Sequence, residues 1–282
     1  MFIFVKSLYL PRYNIKFKIN KKALVLINRI TQKAQQLPPI TLEEMSGIKL
    51  MNRTDTKFVA TLEQLDAFLL AVQGKYYIQE KNGMRLADYH TIYLDTADYK
   101  MYRMHHCGKQ VREKIRVRTY MDNNDTFLEI KNKNNHGRTK KKRIMVESVD
   151  SLHAESERVN PFLAEYAWYT LEEISPVIEN WFNRITLVNL GKTERLTIDF
   201  NLHFHHLKSD GHDRLNNVAI IELKRNGNVP SPALEIIRDL RIKRSGFSKY
   251  CIGSALTNKE LKRNNFKQRL NLIQKLEKTQ KI

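Results

Sequence analysis

In several stretches of this sequence, charged residues recur at every second position. Lys114, Arg116 and Arg118 alternate with Ile115 and Val117, and Glu129, Lys131 and Lys133 alternate with Leu128 and Ile130. Arg53, Asp55 and Lys57 repeat the spacing. So do Arg195 and Asp199, set against Leu196, Ile198 and Phe200, and Glu222 with Lys224, set against Ile221 and Leu223. In a strand, residues two apart share a face, so each stretch presents charge on one side and apolar groups on the other. The charged faces are mostly cationic, with a single Glu or Asp set among the cations. Guanidinium forks bind phosphate oxygens bidentately, and a lysine ammonium supplies a compact point charge. Phosphoryl transfer asks a protein mainly for positioning and charge neutralisation, which such faces supply together.

Eight alternating segments carry these residues, over 53–59, 89–95, 112–120, 126–133, 140–147, 181–189, 194–204 and 218–225. Turn-like runs such as 122–125 and 134–137 separate some of them. Helical patterns fall over 62–72, 161–171 and 232–243. The fold class expected is α+β: an eight-stranded antiparallel closed β-barrel with peripheral helices. A half-buried sheet with its charged face in water is the plainer reading. The amphipathic helices favour the barrel, because they need an apolar surface, and if they cover the outside the charges point into the lumen. Eight strands leave room there for side chains and one slender ligand.

The chain has 282 residues, with 49 Lys and Arg against 30 Asp and Glu, a net charge of +19. That excess implies a polyanionic partner: nucleic acid, an anionic membrane or a phosphate polymer. No specific nucleic acid is expected, because the basic faces lack interleaved aromatics and no helix-turn-helix or RNP-like pattern occurs. Cys107 and Cys251 have no disulfide or zinc spacing. His203, His205 and His206 read as an exposed strand end, with no Cys or Asp partner at metal-site spacing. No apolar run approaches the roughly 20 residues of a membrane span, so a soluble, cytoplasmic protein is expected. Residues 1–42, acid-free, read as a basic extension, a loosely ordered arm or the product of an upstream start codon. Residues 43–256 form the main domain. Over 257–282, Leu261, Leu270, Ile273 and Leu276 mark a terminal amphipathic helix.

The ordered set Arg53-x-Asp55-x-Lys57-Phe58, Tyr93-Leu94-Asp95-Thr96 with Tyr99, Lys114-x-Arg116-x-Arg118-x-Tyr120, Leu128-Glu129-Ile130-Lys131, Arg195-x-Thr197-x-Asp199, Glu222-Leu223-Lys224 and Phe247-Ser248-Lys249-Tyr250 resembles the VTC-type polyphosphate polymerase domain. That family belongs to the triphosphate tunnel metalloenzymes, relatives of the CYTH proteins. The resemblance spans roughly residues 50–255 and implies an eight-stranded tunnel barrel. It also implies that Lys57, Arg116, Arg118, Lys131, Arg184, Arg195 and Lys249 contact phosphate oxygens and that Glu222 ligates a divalent metal, Mn²⁺ or Mg²⁺. Lys142 and Arg143 sit where the family has a further basic pair. Of these, Lys57, Arg116, Arg118 and Lys249 are the candidate catalytic residues. Arg53, Lys133, Arg143, Lys224 and Ser248 join the phosphate contacts. Asp95 and Tyr93 read as structural.

Where hydrolytic CYTH relatives carry ExExK, this first strand has Arg53 and Asp55 in place of the two Glu, which favours the VTC-like branch. The function implied is transfer of the γ-phosphoryl of ATP to a growing inorganic polyphosphate chain. The alternatives are an inorganic or nucleoside triphosphatase and a non-catalytic polyanion-binding module. No segment resembles the SPX domain or membrane helices of eukaryotic VTC subunits. Regulation and polymer export, if any, fall to a partner such as a membrane protein, and the oligomeric state is left open.

Overall fold

The computed structural model describes residues 20–46, 53–227 and 229–279. The chain begins with α1 (Lys21–Gln36), β1 (Pro39–Ile40), α2 (Leu42–Ser46), β2 (Arg53–Ala60), α3 (Leu62–Ala71), β3 (Tyr76–Gln79), β4 (Ala87–Thr96) and α4 (Lys100–His106). It continues with β5 (Arg112–Tyr120), β6 (Asp125–Lys133), β7 (Thr139–Met145), α5 (Ser156–Tyr166), β8 (Ile174–Asn189) and β9 (Glu194–His206). Then come β10 (Gly211–Leu215), β11 (Ala219–Asn226), α6 (Pro232–Asp239), β12 (Lys243–Arg244), α7 (Lys249–Thr257) and α8 (Lys267–Lys278).

All eight expected segments are strands, but they do not make an eight-stranded closed barrel. They belong to one 12-stranded sheet in the order β12-β2-β11-β9-β8-β4-β5-β6-β7, with β10 on β9, β3 on β8 and β1 on β3. Every pairing is antiparallel except β1 with β3. Among the described residues no hydrogen-bonded register joins β7 to β2 or β12, so the sheet is not closed by its ladders. The physical reason lies in β7, whose Lys140, Lys141, Lys142 and Arg143 form a largely exposed run. Lysines on an edge strand discourage further pairing.

Helices cover the apolar side of the sheet. Phe58, Ile185, Leu187, Ile198, Phe200, Ile221 and Leu223 share one core with residues of α1, α3 and α6. Ile115, Val117, Leu128 and Ile130 share another with Val159, Phe162 and Leu163 of α5. The alternate residues of the same strands are left to face the concave side. No described helix is long and apolar enough to cross a membrane.

Two terminal expectations are corrected. Residues 21–36 are not a loose arm: α1 is N-capped by Asn20, whose Oδ1 accepts from Lys22 N at 3.0 Å, and it buries Ala23, Leu26, Ile27, Ile30 and Ala34. The acid that α1 lacks comes from buried Asp66 on α3, which pairs with Arg29 and, at 2.7 Å, with Lys33. Residues 1–19 lie outside the described residues. The amphipathic helix expected over 257–282 is α8, which starts only at Lys267, after a tight turn at Asn264–Phe266, and packs Leu270, Ile273 and Leu276 against the core. The helix expected over 161–171 is α5, which lies earlier and carries Pro161 within it.

Glycines let α7 approach the sheet. A Cβ on Gly253 would collide with the Phe204 ring, and one on Gly211 would collide with the Thr257 carbonyl. At the other end of the helix, Tyr250 OH donates to Asp95, whose carboxylate also accepts from Met101 N at 3.0 Å and Tyr102 N at 2.9 Å. Asp95 therefore ties α4 and α7 together, in the structural role expected of it.

Candidate phosphate-binding cavity

Strand parity carries the charged side chains to one place. Lys57 of β2, Arg116 and Arg118 of β5, Lys131 of β6, Arg184 of β8, and Glu222 and Lys224 of β11 line a cavity of about 440 Å³, together with Ser248 and Lys249 at the start of α7. Ten Lys and Arg side chains and two carboxylates, Asp199 and Glu222, form its wall. A second cavity of about 370 Å³ holds Arg143 and Arg195, with Lys81, Arg85 and the rings of Tyr89, Tyr120 and Phe127. The two cavities share Arg184 and Lys224. Lys133 lines neither, being at the hairpin end of β6 opposite Thr139. Arg53 opens β2 opposite Asn226, and its side chain lies outside the described residues.

Three carboxylates at this face each sit between two cations. Glu222 lies 3.5 Å from Lys57 Nζ and 3.0 Å from Lys224 Nζ. Arg184 binds Asp199 bidentately, at 2.6 and 2.8 Å, and Lys249 takes the same carboxylate. Glu129, fully buried, accepts from Arg116 at 2.6 and 2.7 Å and pairs with Lys141. Other cations bond neutral groups instead: Arg118 Nε donates to Thr91 Oγ1 at 3.0 Å, and Lys114 Nζ donates to Ser248 Oγ at 3.0 Å.

The crowding shows in the proton affinities. Burial, with Arg184 and Lys57 nearby, pushes Lys249 down to about 7 in spite of Asp199. Burial and the neighbouring Lys57, Arg112 and Arg116 lower Lys114 to about 8, and burial with Arg116 brings Arg118 down to about 10. Arg116 and burial depress Lys131 strongly. Burial alone would raise Glu222, but Lys57 and Lys224 outweigh it and hold the carboxyl well below its ordinary range. These shifts describe a site whose positive charge is not neutralised from within, the situation an anionic ligand relieves.

Helix α7 adds to the field. Its first turn borders the cavity, and Ser248 caps it by accepting from Cys251 N at 3.3 Å. The N–H end of a helix carries partial positive charge, so the dipole adds to Lys57 and Lys249 there.

Several wall residues had no role assigned from sequence. Lys114 and Asp199 lie on the alternating faces already recognised. Lys141 turns inward to Glu129, and Arg143 with it, whereas Lys142 lies over the Tyr166 ring at 4.6 Å; the unbroken run 140–143 hides that register. Tyr93, read as structural, lines the cavity with its hydroxyl 3.5 Å from Arg116 Nη1. Arg269 arrives from α8, with no parity signal to announce it. His203, His205 and His206 are buried rather than an exposed strand end, because β10 pairs along β9 from His206 to Leu202.

A divalent ion fits Glu222. The carboxylate is ionised, faces the cavity and keeps only a loose contact with Lys57 through one of its oxygens, which could therefore hold a cation. Mg²⁺ and Mn²⁺ sites commonly need no more than one or two carboxylates plus substrate oxygens.

Known structures similar to this one include a Hippeastrum protein named as an adenylyl cyclase and described by a dominant triphosphatase activity, at 14% identity and a TM-score of 0.47, covering 72% of this chain and 96% of that one. A Vibrio parahaemolyticus protein named as an adenylate cyclase is similar at 13% identity and TM-score 0.42, covering 72% and 99%. The PH1819 protein of Pyrococcus horikoshii is similar at 16% identity and TM-score 0.41, covering 73% and 97%. No curated protein matches the chain. The model of one family, described as the VTC domain, matches residues 52–258. That span runs through β2, every strand that lines the cavities and all of α7, and the chain belongs to the VTC domain family.

Proposed function

We propose that the protein is a metal-dependent polyphosphate polymerase, in which a terminal oxygen of a polyphosphate chain attacks the γ-phosphorus of ATP. The bond from γ-phosphorus to the β–γ bridging oxygen breaks, ADP leaves, and the chain grows by one phosphate. The observation that carries this reading is the pair of cationic cavities sharing Arg184 and Lys224. Two neighbouring chambers with Arg184 and Lys224 in common suit a linear polymer with one end at the reacting centre and the rest extending away.

Lys57, Arg116, Arg118 and Lys249 would surround the transferring phosphoryl, spreading its charge over fixed cations. Lys131, Arg184, Arg195, Arg143 and Lys224 would hold successive phosphates, and Ser248 would donate at the α7 end. Lys133 would act at the margin, beside the β6–β7 hairpin. Glu222 would hold a Mn²⁺ or Mg²⁺ ion, which would supply further neutralisation of the charge on the transferring phosphoryl. The acceptor oxygen is already anionic near neutral pH, so no general base is needed. That matches a site in which Asp199 and the neighbouring Glu129 are each held by two cations. A triphosphatase would need a carboxylate to orient and deprotonate water. We assign the reaction to the cytoplasm, where ATP is supplied, and any polymer export to a membrane-protein partner.

The test is chromatography of the products of ATP with Mn²⁺ or Mg²⁺, with and without a short polyphosphate primer. ADP with acid-stable polymer is expected. Orthophosphate without polymer would move the assignment to a triphosphatase, and no turnover with either metal would leave a binding module.

A further inference from the structure

On the other face of the sheet, away from both cavities, β9 and β10 bring together a second group of chemically competent side chains. Asn201, at φ 55°, inserts a bulge into β9 that switches its parity. Leu202 and Phe204 pass to the α7 side, and His203 and His205 turn to the face that carries Ile198 and Phe200. β10 returns antiparallel and places His212 directly opposite His205. The turn between them carries Asp210.

The two imidazoles point their Nε2 atoms at one carboxylate oxygen. His205 Nε2 lies 2.9 Å and His212 Nε2 lies 3.4 Å from Asp210 Oδ1, and the ligand atoms of all three residues fall within 4.8 Å of one another. A tetrahedral zinc-type ion, bonded at about 2.0–2.1 Å, holds its ligand atoms about 3.3–3.4 Å apart. The two separations from Asp210 Oδ1 lie close to that value, and His212, whose ring stacks on His205 with centroids 4.1 Å apart, would turn out of the stack to aim its Nε2 at the ion. Behind His205 stands Glu179, 1% exposed, accepting from His205 Nδ1 at 2.8 Å and from His90 Nε2 at 2.9 Å. A buried carboxylate on the far nitrogen fixes ring orientation and leaves the other nitrogen for a metal, as is usual behind metal-bound histidines. On the solvent side, Asp210 is 88% exposed, so an ion has a path in and water can complete its coordination.

We propose that His205, Asp210 and His212 form a binding site for a zinc-class divalent metal, separate from the phosphate-binding cavity. The ligand set, two neutral imidazoles and one carboxylate, suits Zn²⁺, Co²⁺ or Ni²⁺ better than Mg²⁺, which prefers an all-oxygen shell. Bound there, the ion cross-links β9 to β10 and stiffens the hairpin whose Gly211 packs on the α7 backbone at Thr257. The proposal does not depend on the reaction carried out in the cavity.

The experiment uses the full chain, stripped with chelator, in phosphate-free buffer. Co²⁺ is titrated while its visible ligand-field bands are followed, and bound Zn²⁺ is counted after dialysis. Wild type is expected to take up one Zn²⁺ that Glu222→Gln retains and that His212→Ala and Asp210→Asn each lose. Asn tolerates the left-handed backbone of position 210, at φ 50°, so Asp210→Asn keeps the turn if His212→Ala perturbs the hairpin. Absence of uptake by wild type, or equal stoichiometry in wild type and both variants, would overturn the site and leave His205 simply hydrogen-bonded between Glu179 and Asp210.

Discussion

Lys249, the first residue of α7, pairs with Asp199 of β9, so helix and sheet meet inside the cavity through a single charge pair. The same ammonium is pushed down to about 7, chiefly by burial, and Lys114 nearby is pushed down to about 8. An unfolded lysine titrates near 10.4, so between about pH 7 and 10 the folded, ligand-free protein binds fewer protons than the unfolded chain. Its stability from these groups therefore rises with pH across that window. A polyanion restores the missing protons. Calorimetry of tripolyphosphate binding at pH 8, in two buffers of different ionisation heat, is expected to show net proton uptake, and affinity is expected to fall from pH 7 to 9. Heats independent of buffer would remove the lysines from the site.

Metal holding and phosphate holding are expected to separate by mutation. Glu222→Gln keeps the shape and removes the charge, so turnover falls by orders of magnitude while polyphosphate binding persists in a more positive cavity. Arg118 has a neutral partner in Thr91, and Arg118→Ala leaves no buried carboxylate unpaired. Tripolyphosphate affinity is expected to drop roughly tenfold to a hundredfold, for a charge-assisted bond worth about 1.5–3 kcal/mol, without loss of ligand-free stability. Equal affinities for wild type and Arg118→Ala would contradict the assignment.

Glu129 behaves differently because Arg116 and Lys141 both depend on it. Glu129→Gln leaves Arg116 buried with no counter-charge, and breaking such a pair costs about 3–5 kcal/mol. Denaturant unfolding is expected to show that loss, with partial recovery in millimolar tripolyphosphate as the ligand supplies the missing negative charge. An unchanged unfolding midpoint would mean that the cluster is already solvated.

Gly253→Ala tests how the helix is seated. The added methyl meets the Phe204 ring, so α7 must shift, at about 1–3 kcal/mol, and Ser248 and Lys249 recede from the cavity with it. Thermal stability and phosphate affinity are expected to fall together. A loss of stability with affinity intact would detach α7 from ligand binding.

Period-two alternation made the main strands and their inward faces legible, and most strand cations that line the first cavity follow from it, whereas Ser248, Lys249 and Arg269 come from helices and do not. Closure was not legible, because parity says which way a side chain points and nothing about whether the two edge strands meet. Lys141 was hidden in a run of four cations with no apolar residue to set the phase. Helix α1 was obscured by composition: its acid-free sequence suggested an arm, although Ala23, Leu26, Ile27, Ile30 and Ala34 have helical spacing, and its counter-charge, Asp66, lies on another helix. The two-residue strands β1 and β12 are too short to show alternation at all. The His205 cluster depended on the bulge at Asn201 and on the return of β10, neither of which leaves a periodic trace.

The most direct test of the central claim follows the γ-phosphorus of ATP by ³¹P NMR during turnover with Mg²⁺. The account expects its signal to move into the interior resonance of polyphosphate as ADP accumulates, and Glu222→Gln to abolish the change. Conversion of the γ signal to orthophosphate, with no interior polyphosphate resonance even when primer is supplied, would contradict it.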